Sequence, residues 1–409
     1  MICTNCGSAL KEGAEFCHTC GRRASVPVAA PAVKTPDPET ASMKKAYSRA
    51  GLSTVALYGA MSVGQSIAIG LAAFLIVVLQ FLKNNMPAFR LDTPSDLLQD
   101  ATDWLMQSGA VFPMMLALVL GAAGGTLLGI FIMRKIIKRG TPIEKRSLSL
   151  GRFLVIALMC FGVWGAGALL GNLAELFGAK QESLFSVERL GKDILPYLIY
   201  AVIGAPILEE LAFRKVLLDR LHDTHEGYAA VVSALLFGLM HGNHVQFFLA
   251  FFIGLIFAMV YQRTGRIIYT MILHAMINLT ATIPELFALW GVDISLGWNI
   301  AVGTLIVGGL IALLVLRKDP LLHAEPCAIP EANRAVYKNV GMRIATIAGL
   351  VLIGLQGLMM IVPPMFNDPN PAYLIGLIPL ALVFLTVLLL PKFTKRYEAS
   401  AAKPEEETV

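Results

Sequence analysis

Charged residues are scarce in this chain. Asp, Glu, Lys and Arg make up 15% of its 409 residues, whereas hydrophobic residues make up 56%, and the mean hydropathy is +0.68. Soluble globular domains carry about 25% charged residues. The composition therefore excludes an array of soluble domains and predicts an all-α polytopic membrane protein.

A clustered basic surface is missing too. The formal net charge is +5, but most Lys and Arg flank apolar segments, which is the orientation signal of a membrane protein. This excludes the basic face that binds nucleic acid. The N-terminus also lacks the apolar stretch of a cleavable signal peptide. We expect it to stay in the reducing cytosol, with the first span as an uncleaved anchor.

Apolar segments of spanning length recur along the chain. A helix needs about 20 apolar residues to cross the hydrocarbon core. Ten segments are candidates, at 52–82, 109–133, 153–178, 194–221, 228–243, 245–262, 267–289, 297–316, 344–363 and 373–391. The fifth and sixth are short, and only Gly242-Asn243-His244 separates them, which predicts a tight hairpin or one interrupted span. Lys and Arg in alternate loops predict a multi-pass plasma-membrane protein with both termini in the cytoplasm.

Composition divides the chain into six regions. A cysteine-rich module is followed by a flexible Pro/Ala/Thr-rich linker, three groups of membrane helices and a polar tail. We place them at 1–23 (zinc-ribbon), 24–43 (linker), 44–150 (N-terminal membrane helices), 151–316 (membrane core), 317–396 (two C-terminal membrane helices) and 397–409 (tail).

Four cysteines form two matching knuckles near the N-terminus. Cys3 and Cys6 belong to one CxxC-Gly knuckle, and Cys17 and Cys20 belong to the other. Each knuckle places two thiolates on one turn, so the pair supplies the four ligands of a closed structural Zn²⁺ site. A module this short has no adequate core, so we expect zinc to fold it. His18 is expected to face solvent, because four cysteines complete the shell.

Polar residues that are costly to bury interrupt three of the apolar segments. Two adjacent acids and an arginine lie in the fourth segment, a phenylalanine and a histidine in the fifth, and a histidine and an asparagine in the seventh. The polar residues are Glu209, Glu210, Arg214, His241, His274 and Asn278, and Phe237 lies one helical turn before His241. A chain seldom keeps such a cluster in lipid without using it, so we predict an intramembrane active site.

Spacing along the chain predicts that two of these groups meet. If segments four and five form a hairpin with its turn near residue 225, Glu209 and His241 are each sixteen residues from the turn. They then lie at the same depth, about 20 Å from the turn. Glu210 and Arg214 are i,i+4 neighbours on one helix face, with the acid in the favourable N-terminal position.

These residue types allow hydrolysis by two routes. A carboxylate in a poorly hydrated pocket can act as a general base, and histidine and asparagine donors can stabilise an oxyanion. Alternatively, Glu209, His241 and His274 bind a metal ion that activates water. The chain has no HExxH motif, so this second route depends on the proximity of the three residues alone.

The motifs EExxxR, FxxxH and HxxxN, in that order on successive segments, resemble those of the CPBP family. That family includes the type II CAAX prenyl endopeptidases and proteins linked to bacteriocin processing and self-immunity. The resemblance covers about residues 150–316. It implies that Glu209 and His241 activate water, that His274 and Asn278 stabilise the oxyanion, and that Glu210 and Arg214 support the site. It leaves a metalloendopeptidase and a metal-free Glu/His hydrolase both open.

Individually, several of these residues have a structural explanation. Glu210 and Arg214 are predicted to form a structural ion pair, and Phe237 is predicted to pack or to line the substrate channel. Asn278 alone suggests an interhelical hydrogen bond. His225 and His244 are assigned to solvated loops.

The leading hypothesis is a membrane-embedded endopeptidase that cleaves a membrane-associated peptide or protein within the lipid bilayer. The alternative is a non-catalytic membrane protein. It would be an immunity scaffold that sequesters a peptide, or an ion-coupled transporter whose buried charges form a relay.

Overall fold

The structure is a computed structural model. It describes residues 6, 8–9, 11, 16–22, 37–83, 100, 103–104, 109–138, 140–173, 186–324, 326–367, 375 and 377–401. The chain divides into two compact units, Met1–Pro38 and Glu39–Val409. The first unit holds the cysteine module, and the second holds the apolar helices.

Helices account for the regular structure of the second unit in its described residues. They are α1 (Pro38–Leu82), α2 (Val111–Ile136), α3 (Leu150–Gly171), α4 (Val187–Leu221), α5 (Glu226–Met240), α6 (His244–Thr264), α7 (Ile267–Ala288), α8 (Ser295–Val315), α9 (Ala332–Tyr337), α10 (Val340–Asn367) and α11 (Leu377–Ala401). Helix α1 takes in residues 38–43, which the sequence had placed in the linker.

The predicted all-α polytopic membrane fold is confirmed. Within the described ranges, nine helices are long and apolar enough to cross a membrane. The remaining predicted span, the fifth at 228–243, corresponds to α5, which has only 15 residues. Of the two arrangements predicted for residues 228–262, the structure has the tight hairpin, because α5 ends at Met240 and α6 begins at His244.

Helix α6 lies at the centre of the bundle. In its most apolar stretch 67% of the residues are buried, against 11% for α8. Small residues let the hairpin close tightly, since a Cβ atom on Gly238 would lie 3.1 Å from the Phe247 side chain. Helices α1 and α2 also approach each other closely at a glycine, since a Cβ atom on Gly125 would lie 2.5 Å from the carbonyl oxygen of Ala60. Close backbone approach through small residues is typical of membrane helix pairs.

Helix α4 is irregular on both sides of the two acids. It forms π-helical turns at Tyr200–Gly204 and Leu211–Leu218, with a short α-helical stretch between them. Pro206 lies in that stretch and removes one backbone donor, which loosens the helix. Such π turns occur frequently at functional sites.

Candidate active site

Three helices bring the predicted site residues together. Helix α4 carries the two acids and the arginine, α5 ends next to its histidine, and α7 carries the second histidine and the asparagine. Their side chains range from fully buried to half-buried, and the members are Glu209, Glu210, Arg214, Phe237, His241, His274 and Asn278.

Glu210 is completely buried between a guanidinium and an imidazole. Its Oε2 atom lies 3.1 Å from Nε of Arg214, and its Oε1 atom lies 3.1 Å from Nδ1 of His274. Arg214 is also 0% exposed, so the predicted ion pair between these helical neighbours is confirmed. Glu210 therefore holds α7 against α4 through His274, and its removal would leave a buried positive charge uncompensated.

Two aromatic rings pack against the Arg214 guanidinium. The Cζ atom lies 4.8 Å from the ring centroid of Phe237 and 5.4 Å from that of Phe257, distances at which a cation is attracted to an aromatic face. Nη2 of Arg214 also donates a hydrogen bond to the carbonyl oxygen of Gly254 at 3.2 Å. The cation is thus fixed by α4, α5 and α6 together.

Glu209 has a different environment from its neighbour. Its side chain is 19% exposed, whereas that of Glu210 is 0% exposed. Oε2 of Glu209 lies 3.7 Å from Nε2 of His274, so this imidazole lies between both acids. Nδ1 of His274 donates to Oε1 of Glu210, since a carboxylate oxygen only accepts, while Nε2 faces Glu209.

His241 has a fixed ring orientation. Its Nδ1–H donates to the carbonyl oxygen of Phe237 at 2.8 Å, which leaves Nε2 as the acceptor of the neutral imidazole. The Phe237 ring contacts His241 edge-on at 5.0 Å and His274 at 5.8 Å between centroids. Phe237 thus packs between the two histidines, in keeping with its predicted packing role.

The predicted meeting of Glu209 with His241 is indirect. No hydrogen bond or ion pair joins these two described side chains, and Glu209 instead approaches His274. His274 and Phe237 connect the two groups.

Asn278 ties α7 to the first π turn of α4. Its Nδ2 atom donates to the carbonyl oxygen of Ala201 at 2.8 Å, which confirms the interhelical hydrogen bond suggested by the sequence. The amide group carries a second N–H, so this bond orients the side chain and leaves one donor for another acceptor.

The structure also tests the ligand sets proposed for metals. Within the described part of the chain, Cys6, Cys17 and Cys20 are the group whose ligand atoms lie within 4.8 Å of one another. Glu209, His241 and His274 are not among the groups that meet this distance there.

The cysteine module brings together three of its four predicted ligands. Cys6 and Cys17 have their sulfur atoms 3.6 Å apart, and Cys3 lies outside the described residues. The Ser8 side chain contacts the Cys17 sulfur at 3.2 Å. This contact, followed by backbone hydrogen bonds from Cys20 and Thr19, lowers the pKa of Cys17 to about 5. A thiolate is the form that binds a metal, so the described donors fit a Zn²⁺ ion.

The assignment of His244 to a solvated loop was wrong. His244 is 0% exposed, because α10 and α11 cover the α5–α6 connection: a Cβ atom on Gly357 would lie 3.4 Å from Nδ1 of His244 and 3.1 Å from the Leu380 side chain. The short connection Gly242-Asn243-His244 between two spans resembles a hairpin turn in water. The sequence does not show that helices distant in the chain pack over this connection.

His225 is half-buried and caps α5. Its Nδ1 atom accepts a hydrogen bond from the backbone N–H of Tyr228 at 3.3 Å. It also lines a cavity of about 130 Å³ near the Glu226–Arg263 ion pair. This cavity lies at the end of α5 opposite to His241, so it is separate from the acid and histidine cluster.

Two residues of the site were not identified from the sequence. Phe257 covers His274 with 5.6 Å between ring centroids, and Gly254 provides the carbonyl group for Arg214. A Cβ atom on Gly254 would lie 3.0 Å from Cδ1 of Phe237, so glycine is needed for this close approach. Both lie in an apolar helix, where phenylalanine and glycine are common. The only sequence signal was their i,i+3 spacing, which puts them on the same helix face.

The fold and the cluster together define a class. The chain is a polytopic helical membrane protein with a buried polar site in which two acids, two histidines and an arginine converge, a set that fits acid–base chemistry.

Comparison with known proteins agrees with this class. Residues 191–280 match the family model described as type II CAAX prenyl endopeptidase Rce1-like. The matched segment contains all three motifs and confirms the family resemblance there, over a narrower range than residues 150–316.

Two curated proteins are similar to part of the chain. YdiL, a candidate membrane peptidase of Bacillus subtilis (strain 168), is 27% identical over 147 residues, which cover 35% of this chain and 60% of YdiL. The membrane-embedded CAAX protease MroQ of Staphylococcus aureus (strain USA300) is 32% identical over 117 residues, 26% of this chain and 47% of MroQ. The chain thus spans about half the length of these relatives. No solved structure is significantly similar to it.

Proposed function

We propose that the protein is an intramembrane endopeptidase that hydrolyses a peptide bond of a membrane-associated peptide or protein. The observation that carries this proposal is the unequal environment of two adjacent acids. Glu210 is sealed by Arg214 and His274, whereas Glu209 keeps 19% of its side chain exposed beside the same imidazole. Environments that separate the roles of paired acids are typical of hydrolytic sites.

In this proposal Glu209 is the general base. Its carboxylate takes a proton from a water molecule as the water oxygen attacks the scissile carbonyl carbon. His241 orients that water through Nε2, because Nδ1 is held by the carbonyl oxygen of Phe237. The attack moves the carbonyl π electrons onto oxygen and produces a tetrahedral oxyanion.

His274 and Asn278 stabilise that oxyanion. His274 offers Nε2–H when it is doubly protonated, with Nδ1–H donating to Glu210, and Asn278 offers its remaining amide N–H. The protonated Glu209 then gives its proton to the leaving nitrogen as the C–N bond breaks. One water is consumed, and a carboxyl group and an amine are released.

The membrane helices and the relatives support a proposal for location and substrate. We propose a multi-pass plasma-membrane protein with both termini in the cytoplasm. The name of MroQ suggests that peptides with a C-terminal CAAX sequence, prenylated or not, are the first substrates to compare. We further propose that the cysteine module binds one structural Zn²⁺ ion, with Cys3 completing the ligand set of Cys6, Cys17 and Cys20.

The test is peptide cleavage by the full-length protein in phosphatidylcholine vesicles prepared in isotope-labelled water. We expect the label in the new C-terminal carboxyl group of the product, together with loss of cleavage in Glu209→Gln. Intact peptides after incubation with well-folded wild-type protein would contradict the proposal and would favour a non-catalytic scaffold.

A further inference from the structure

The α5–α6 connection contains a buried histidine with no role in the proposed reaction. His244 is 0% exposed, and neither of its ring nitrogens has a hydrogen-bond partner among the described residues. A buried polar group without a partner is destabilising, and such groups usually bind a water molecule or an ion. His244 is also only three positions after His241.

Other polar side chains converge on the same connection. A Cβ atom on Gly242 would lie 3.5 Å from the Tyr58 hydroxyl oxygen and 3.7 Å from Oε1 of Gln356. Gly242 has a φ of +70°, and its missing Cβ atom leaves a gap about the size of a methyl group between its backbone and these two groups. Tyr58 comes from α1 and Gln356 from α10, so both lie outside the segment that matches the family model.

The gap between Gly242, Tyr58 and Gln356, which we call the polar hollow, lies deep along the helices. Tyr47 of α1 contacts Thr224, in the turn between α4 and α5, through a 3.2 Å hydrogen bond, and Tyr58 is eleven residues further along α1. Eleven residues of helix span about 16 Å, more than half of a hydrocarbon core of about 30 Å. Hydroxyl, amide and imidazole groups at this depth need polar partners, and a water molecule requires two to four of them.

We propose that the hollow bounded by His244, Tyr58 and Gln356 binds water and supplies it to the Glu209 and His241 site. The inference rests on the proposed hydrolysis, in which each cleaved bond consumes one water. Gln356 is exposed and Tyr58 is half-buried, so they form the rim, and His244 forms the buried end. His244 is thus a positioning residue for water.

The first test replaces His244 by Leu and by Gln in the full chain. In a hydrated hollow Leu cannot hold water, so kcat falls about tenfold or more while KM is unchanged, because the variant alters the water supply and leaves the acid and histidine cluster intact. Gln still binds water, so kcat stays within about threefold of wild type. A His244→Leu variant that hydrolyses as fast as wild type would overturn the proposal.

Thermal unfolding separates a wet hollow from a dry one. If the hollow is dry, replacing an unpartnered imidazole by Leu removes a buried polar group and raises Tm. If it is hydrated, His244→Leu loses water contacts and Tm does not rise. A higher Tm with normal turnover contradicts the proposal. This readout needs no catalysis, so inactive wild-type protein would count against the proposed function alone.

A second variant covers the case in which His244→Leu does not fold. Gly357→Ala keeps His244 and adds a methyl group 3.4 Å from Nδ1, which narrows the hollow. We expect kcat to fall about threefold or more with unchanged KM. Gly303→Ala is the matched control, because nothing lies within 4 Å of a Cβ atom there. Equal rates in both glycine variants would contradict the proposal.

Discussion

Nδ1 of His274 lies 3.1 Å from Oε1 of Glu210, although the two residues are 64 positions apart in the sequence. This contact joins α7 to α4 and orients the imidazole so that its Nε2 atom faces Glu209 at 3.7 Å. The second acid of the motif thus contacts both a histidine and an arginine, while the first acid keeps 19% of its side chain exposed. The proposed division of roles between the two acids is based on these contacts.

Glu210→Gln is expected to cost stability. The substitution leaves Arg214 buried with a neutral partner, and breaking a buried ion pair typically costs about 3–5 kcal/mol. The free energy of unfolding in detergent micelles, measured by denaturant titration, checks this value. The control is Glu144→Gln, which breaks an exposed pair with Arg146 and should cost less than about 1 kcal/mol. Equal losses in the two variants would contradict the assigned role of Glu210.

The pair should also couple energetically. When Arg214→Met is combined with Glu210→Gln, no buried charge of the pair remains, so the double variant should lose less stability than the sum of the single losses. Residues in direct contact show coupling energies of about 0.5–3 kcal/mol. A double-mutant cycle on the same unfolding assay measures this energy, and strict additivity would mean that the ion pair contributes nothing.

Gly254→Ala is expected to disturb the site without changing any polar group. The added methyl would lie 3.0 Å from Cδ1 of Phe237, and the ring must shift between the two histidines. A displaced catalytic geometry should lower kcat about tenfold. The matched variant Gly303→Ala meets nothing within 4 Å and should keep the wild-type kcat. The ratio of the two rates is the measurement, and a ratio near one would argue against a positioning role for Phe237.

The three motifs predicted the site because helical spacing is local. Glu210 and Arg214 are one turn apart, so their ion pair followed from the sequence. The hydrogen bond between His274 and Glu210 could not be predicted from the sequence, because it depends on how α7 packs on α4. The same limit explains His244: the helices that bury it come more than a hundred residues later, and a short polar connection gives no sign of them. The π turns around Pro206 depend on tertiary packing too.

The cysteine module should bind one zinc ion per chain. Replacing Cys17, the buried sulfur of the cluster, by Ala should lower the bound zinc well below one equivalent, since tetrahedral sites need four ligands. Elemental analysis of purified full-length protein gives the stoichiometry. Cys160→Ser removes a buried thiol outside the cluster and should leave the zinc content unchanged. Zinc retained by Cys17→Ala would remove this residue from the ligand set.

Cleavage rates of Glu209→Gln and Glu210→Gln, each divided by the folded fraction of the variant, test whether Glu209 is the general base. We predict that Glu209→Gln loses a factor of about 100 or more in kcat while keeping its fold, because the water-activating base is gone. Glu210→Gln should lose stability but keep measurable turnover in the folded fraction. A folded Glu209→Gln variant that cleaves at the wild-type rate would show that Glu209 is not the base.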